Sequence, residues 1–271
     1  MDSSIPARPI GVFDSGIGGL TVTAELRRLL PHETIFYIGD TARVPYGGKS
    51  PATIERYSLE ISDMLLTAGA KMIVVACNTA SALAVPKLEE TLPVPVTGVI
   101  LPGARAAVAT TRNGRVGVIG TRGTIRSGAY ERAIHALAPE VRVVSQACPM
   151  LVPAIEEGWL EDGITDGIIA RYLENLAGSG IDTLVLGCTH YPLVKAALAR
   201  FLGPGIRLVD SAENCAIAVR ELLDVHGIGA PDSGKGRLRV ALTDASDGFL
   251  PVAEKALGLE VGEIHLAAVQ R

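Results

Sequence analysis

Met72-Ile-Val-Val-Ala-Cys77-Asn78-Thr79 and Thr183-Leu-Val-Leu-Gly-Cys188-Thr189-His190 are two versions of one pattern. Each is a continuously apolar run that ends in a cysteine followed by small polar residues. A run with no polar alternation fits a parallel strand covered on both faces. A cysteine at the tip of two such strands is hard to derive from packing alone. It points to a site with two thiols, one from each half of the protein.

Working outward, further short runs predict strands at Ile10–Phe13, Ile35–Gly39, Val94–Val99, Arg115–Ile119, Val141–Ser145, Ile206–Val209 and Leu238–Leu242. Helical periodicity covers Thr21–Leu30, Pro51–Ala68, Ser127–Leu137, Ile164–Gly178 and Ala212–His226. Ser50 before Pro51 reads as an N-cap followed by proline in the first turn. The alternation predicts an α/β fold with parallel sheets.

The repeat extends beyond the cysteines. Pro9-Ile-Gly-Val-Phe-Asp14-Ser15-Gly16 is similar to Arg115-Val-Gly-Val-Ile-Gly120-Thr121-Arg122. Gly11 and Gly117 are 106 residues apart, Cys77 and Cys188 111. Two related α/β domains with central parallel sheets and pseudo-two-fold symmetry are expected, with the site in the cleft between them. Pro93, Pro95 and Pro102 flank the first crossing, and strands after Ile206 are too few for a third unit. The expected division is 1–98 plus 209–271, and 99–208. Ligands of open α/β sheets bind beyond the carboxyl ends of strands. Asp14, Asp40, Cys77, Thr121, Cys188 and Asp210 all follow a predicted strand.

The 271 residues are 48% hydrophobic and 20% charged, which suits a folded protein with a large core. A net charge of −4 gives no global attraction to nucleic acid or anionic membrane. Arg105, Arg112, Arg115, Arg122, Arg126 and Arg132 read as a solvated surface. The polar stretch Met1–Pro9 lacks the apolar core of a secretory signal, and no run reaches the ~20 residues of a membrane span. A cytoplasmic protein with reduced thiols is expected. The cysteines at 77, 148, 188 and 215 then form no disulfide framework, and their spacing does not suit a metal.

Cys77 precedes Asn78-Thr79-Ala80-Ser81, the expected start of a helix. Such a terminus favours a thiolate and offers N–H groups to a carboxylate. Alone, Cys77 would read as a buried core thiol. Cys188 shifts the balance, because His190 stands two residues away as a base or positive neighbour. Cys148 and Cys215 read as core residues. Asp14-Ser15-Gly16-Ile17-Gly18-Gly19 is short of a dinucleotide fingerprint, since position 21 is Thr. A tight glycine turn with Ser15 as a donor fits better. Val44-Pro45-Tyr46-Gly47-Gly48 is equally a ligand-facing loop or an ordinary surface turn.

Gly11–Thr21, Gly39–Gly47, Ala76–Ser81 and Leu186–Pro192 together closely resemble the glutamate racemases of the aspartate/glutamate racemase superfamily. The resemblance runs from about Pro9 past Asp210-Ser211. It implies cofactor-independent, metal-free interconversion of L- and D-glutamate, supplying D-glutamate for peptidoglycan, by a homodimer. It implies Cys77 and Cys188 as bases on opposite faces, assisted by Asp14 and His190 respectively. Ser15, Asp40, Pro45, Tyr46, Gly47, Asn78, Thr79, Thr121 and Thr189 match positions around the substrate. A further site glutamate falls at Glu156, with Glu157 as the alternative. Two readings of other classes compete: a cysteine hydrolase on Cys188 and His190, and a non-catalytic glutamate-binding protein. Aspartate racemase is the closest rival within the class.

Overall fold

Ten parallel-paired strands form two sheets in the computed structural model, which describes residues 5–232, 234–244, 258 and 264–267. Parts of the expected first unit, at 1–4, 233, 245–257, 259–263 and 268–271, lie outside the described residues. The first sheet contains β1 (Ile10–Asp14), β2 (Ile35–Gly39), β3 (Met72–Val75), β4 (Val96–Gly98), β9 (Leu238–Leu242) and β10 (Ile264–Leu266). The second contains β5 (Arg115–Gly120), β6 (Arg142–Ala147), β7 (Thr183–Gly187) and β8 (Arg207–Asp210). The helices are α1 (Leu20–Leu29), α2 (Pro51–Thr67), α3 (Asn78–Thr91), α4 (Ile100–Thr110) and α5 (Arg122–Ser127). They continue with α6 (Ala129–Leu137), α7 (Leu151–Glu156), α8 (Gly163–Ala177), α9 (Lys195–Leu202) and α10 (Ser211–His226).

The strand order β2-β1-β3-β4 of the first sheet recurs as β6-β5-β7-β8 in the second. The registers agree as well. Gly11 faces Ile73 and Gly117 faces Leu184, and these two partners are separated by the same 111 residues as Cys77 and Cys188. The repeat legible in the sequence is therefore a repeat of topology and register. Beyond it, β9 and β10 extend the first sheet past β2.

Alternate residues of each central strand serve different cores, as the two-residue period of a strand requires. Ile10, Val12, Met72 and Val74 belong to one cluster, and Phe13, Ile73 and Val75 to another under α2 and α3. The first of these clusters does not stop at the sheet. It runs through α1 and α10 to Leu184 and Leu186 of β7, so the two halves share apolar core. Burying each such side chain contributes about 1.5–3 kcal/mol. Helix α2 starts as expected, with Ser50 Oγ accepting the Thr53 N–H at 3.3 Å.

One buried ion pair ties distant segments together. Lys71 Nζ lies 2.6 Å from Glu33 Oε2 and donates to the Pro6 carbonyl at 3.0 Å. Glu33 Oε1 accepts the Ala230 N–H at 2.7 Å. Removing one partner of a buried pair strands the other charge, at a cost of about 3–5 kcal/mol. Lys71→Met should accordingly lower the urea midpoint sharply, and adding Glu33→Gln should recover part of the loss. An unchanged midpoint in the single variant would contradict this role.

Candidate active site

The carboxyl ends of β1, β3, β5 and β7 converge on one cavity of about 400 Å³, lined by residues that follow strands of both sheets. Every expected site residue except Asp14, Asp40 and Asp210 lines it; Asp210 instead caps α10, accepting the Ala212 N–H at 2.8 Å. Both Cys77 and Cys188 do so while remaining 5% exposed.

On the first side, Cys77 caps α3. Its sulfur accepts the Ala80 N–H at 3.5 Å and lies 3.7 Å from Ser15 Oγ. Asp14 is wholly buried beneath. Its Oδ2 accepts the Gly16 N–H at 3.1 Å, and its Oδ1 has no hydrogen-bond partner. Burial raises the Asp14 pKa, against the opposing pull of a positive His190. Burial, reinforced by Asp14, pushes the Cys77 thiol up to about 12. The expectation that a helix N-terminus would lower this pKa is overturned. The bond from Ala80 does favour the thiolate, but desolvation and a neighbouring carboxylate outweigh it.

On the second side a chain of contacts runs outward. Cys188 Sγ lies 3.8 Å from His190 Nδ1, and His190 Nε2 lies 3.1 Å from Glu156 Oε1. Burial depresses the His190 pKa, but the bonds to Cys188 and Glu156 outweigh it and push the value up to about 10. The imidazole is therefore an imidazolium near neutral pH. Glu156, the last residue of α7, lines the cavity, whereas Glu157 is exposed outside it. Geometry thus separates two candidates that sequence alone left open.

The same cavity is lined by hydrogen-bonding groups. Asn78 Oδ1 is held by the Tyr130 hydroxyl at 2.7 Å, while its buried Nδ2 has no protein partner. An unpaired buried donor is costly, so it marks where an acceptor would be taken up. Thr79 and Thr121 join the two sides through their hydroxyls at 2.9 Å. Asp40 sits behind this surface. It accepts from Arg43 Nε at 2.7 Å, from Thr243 Oγ1 at 2.9 Å and, through a short bond, from the Tyr46 hydroxyl. It braces the Pro45-Tyr46 loop from outside the cavity. Of the loop's two sequence readings, a surface turn facing only solvent does not hold, since Val44 to Gly48 all line the cavity.

The sequence reading did not anticipate the wall formed by Pro149, Met150, Val152 and Pro153, nor Arg122 at the cavity. The six arginines are all exposed, as expected, yet Arg122 also lines the site. Its place next to Thr121, past β5, was the available signal. Cys148 and Cys215 are fully buried core residues. Among the described residues no group of three or more His, Cys, Asp or Glu is arranged to hold a metal ion, and no helix is long and apolar enough to cross a membrane.

Residues 10–221 match the Asp/Glu/Hydantoin racemase family. The chain belongs to that family. Among its racemase relatives, the glutamate racemase of Geobacter metallireducens is 50% identical, over 98% of this chain and 98% of its own. That of Neisseria meningitidis is 47% identical, with 97% of each chain covered. Glutamate racemase RacE1 of Bacillus anthracis superposes with a TM-score of 0.91 at 41% identity, covering 97% of both chains. The Francisella tularensis glutamate racemase, solved in complex with D-glutamate, gives 0.90 at 36% identity, covering 97% of this chain and 98% of that one. The aspartate racemase of Picrophilus torridus, at 19% identity and a TM-score of 0.55, shares the fold.

An NMR titration of this racemase-family protein should place the His190 midpoint near 10, and Glu156→Gln should lower it. The folded value lies above the ordinary 6.5, so the stabilisation is complete below about 6.5 and lost as pH rises through about 10. The stability gap between native and Glu156→Gln protein should therefore narrow from about pH 7 to about pH 10. A gap that widens over this range would contradict the assignment.

Proposed function

We propose that this protein racemises glutamate by two-base chemistry and without a cofactor. The observation that carries the reading is the placement of two thiols, Cys77 and Cys188, at equivalent strand ends around one cavity. Inversion requires a proton to leave one face of the α-carbon and another to arrive on the opposite face. Two bases achieve this without turning the substrate over. One must be a thiolate when the other is a thiol, and each turnover exchanges the roles.

Cys77 takes the α-proton of D-glutamate, and Cys188 that of L-glutamate. A positive His190, held by Glu156, stabilises a Cys188 thiolate. Asp14, beside Cys77, serves as its acceptor. The carbanion-like transition state needs preorganised donors at the carboxylate. The unpaired Asn78 Nδ2 and the Thr79 and Thr121 hydroxyls fit that task. Ser15, Pro45, Tyr46, Gly47 and Thr189 complete the substrate wall, with Asp40 bracing Tyr46. Identity near 50% to glutamate racemases favours glutamate over aspartate as substrate.

The same reading includes supply of D-glutamate to peptidoglycan in the cytoplasm and assembly as a homodimer, which sedimentation would test. It also includes the division into 1–98 plus 209–271 and 99–208. Sheet membership supports that division, with β8 straddling the second boundary. A hydrolase would also suit the Cys188–His190–Glu156 chain, but it leaves Cys77 in the cavity without a task.

Purified protein, free of pyridoxal phosphate, should interconvert the glutamate enantiomers and act far more slowly on aspartate. Cys77→Ser and Cys188→Ser should each cut kcat by at least about 100-fold, the range of a positioned acid–base group. Near-native racemisation in either variant would sink the two-base assignment. A covalent acyl-enzyme on Cys188 would favour hydrolysis instead.

A further inference from the structure

Two adjacent glycines touch the two thiol partners from opposite sides. A Cβ at Gly18 would lie 2.4 Å from His190 Cε1, 2.5 Å from His190 Nδ1 and 2.7 Å from Thr189 Oγ1. A Cβ at Gly19 would lie 2.5 Å from Asp14 Cβ. Neither glycine has a positive φ, so contact rather than backbone conformation excludes a side chain. The turn is also fastened to the second half. The Thr21 hydroxyl lies 3.0 Å from the Thr189 carbonyl and 3.0 Å from that of Gly18.

We propose that Gly18 and Gly19 are positioning residues that set both helpers from one turn, Gly18 holding His190 against Cys188 and Gly19 holding Asp14 beneath Cys77. His190 cannot yield freely, because its ring is buried and its Nε2 is held by Glu156. An added methyl at 18 therefore displaces the ring whose Nδ1 faces Cys188, and the three nearest atoms it meets belong to Thr189 and His190 alone. A methyl at 19 acts on the other side. One turn, continuous in sequence, thus separately controls two half-reactions.

This inference rests on the two-base reading, and deuterium exchange separates the two. In heavy water, Gly18→Ala should still let Cys77 remove the α-proton of D-glutamate. With delivery from Cys188 impaired, the Cys77 thiol exchanges its proton with solvent and returns deuterium to the same face. The ratio of exchange to inversion from D-glutamate should rise about 10- to 100-fold, the scale of a misplaced catalytic group. From L-glutamate both rates should fall together. Gly19→Ala should show the mirror image, with exchange retained in L-glutamate. Thr21→Val, which adds no clash, should shift the ratio in the same sense as Gly18→Ala, and Thr21→Ser should restore it. This pair decides the matter if the glycine variants do not fold. Loss of exchange and inversion in equal measure from both enantiomers, or native ratios throughout, would overturn the inference. Failure of the unaltered protein to racemise would instead overturn the underlying reading.

Discussion

The close approach of the turn after β1 to the turn after β7 is the constraint on which the site depends. At Gly18 the backbone reaches the His190 ring with no room for a methyl group, and the Thr21 hydroxyl bonds the Thr189 carbonyl at 3.0 Å. That contact brings the ends of corresponding strands from two sheets to one cavity. The apolar core beneath runs unbroken from Val12 to Leu184, so the halves are fixed by packing as well as by polar contacts.

The two thiols share a fold position but not an environment. Cys77 lies over a buried carboxylate, and burial and that charge both disfavour its thiolate. Cys188 lies beside an imidazole that stays protonated to about pH 10, because Cys188 and Glu156 together outweigh its burial. A repeated βαβ framework thus carries a buried carboxyl group beside one thiol and a positive imidazole beside the other. Electrostatics therefore make the surroundings of the two thiols unequal.

Much of this was legible in the sequence, since continuous apolar runs specify buried parallel strands. Nine strands were found within a residue or two at most ends, and the 111-residue offset recurs in the registers. The failures have local causes. Ile264–Leu266 is only three residues long and shows no period. The helix expected over Ser127–Leu137 is α6, but the short α5 before it, set off by the left-handed Gly128, shows too few residues for a period. Helix α7 is six residues long and contains Pro153, so periodicity could not place Glu156. Asp40 follows a strand as cavity residues do, yet its carboxylate turns to Tyr46 and Arg43; only side-chain geometry tells a bracing group from a lining one. The Cys77 pKa was misjudged because burial, which sequence does not quantify, exceeds the effect of a helix terminus.

The central claim is that separate thiols serve the two faces of one α-carbon. The most direct measurement follows the unaltered protein in heavy water from pure L-glutamate, separating the enantiomers by chiral chromatography at early conversion and reading the α-deuterium of each by mass spectrometry. The account predicts deuterium at the α-carbon of the D-glutamate formed, while the remaining L-glutamate keeps its proton. Deuterium appearing equally in substrate and product from the outset, as a single base serving both faces would give, would contradict it.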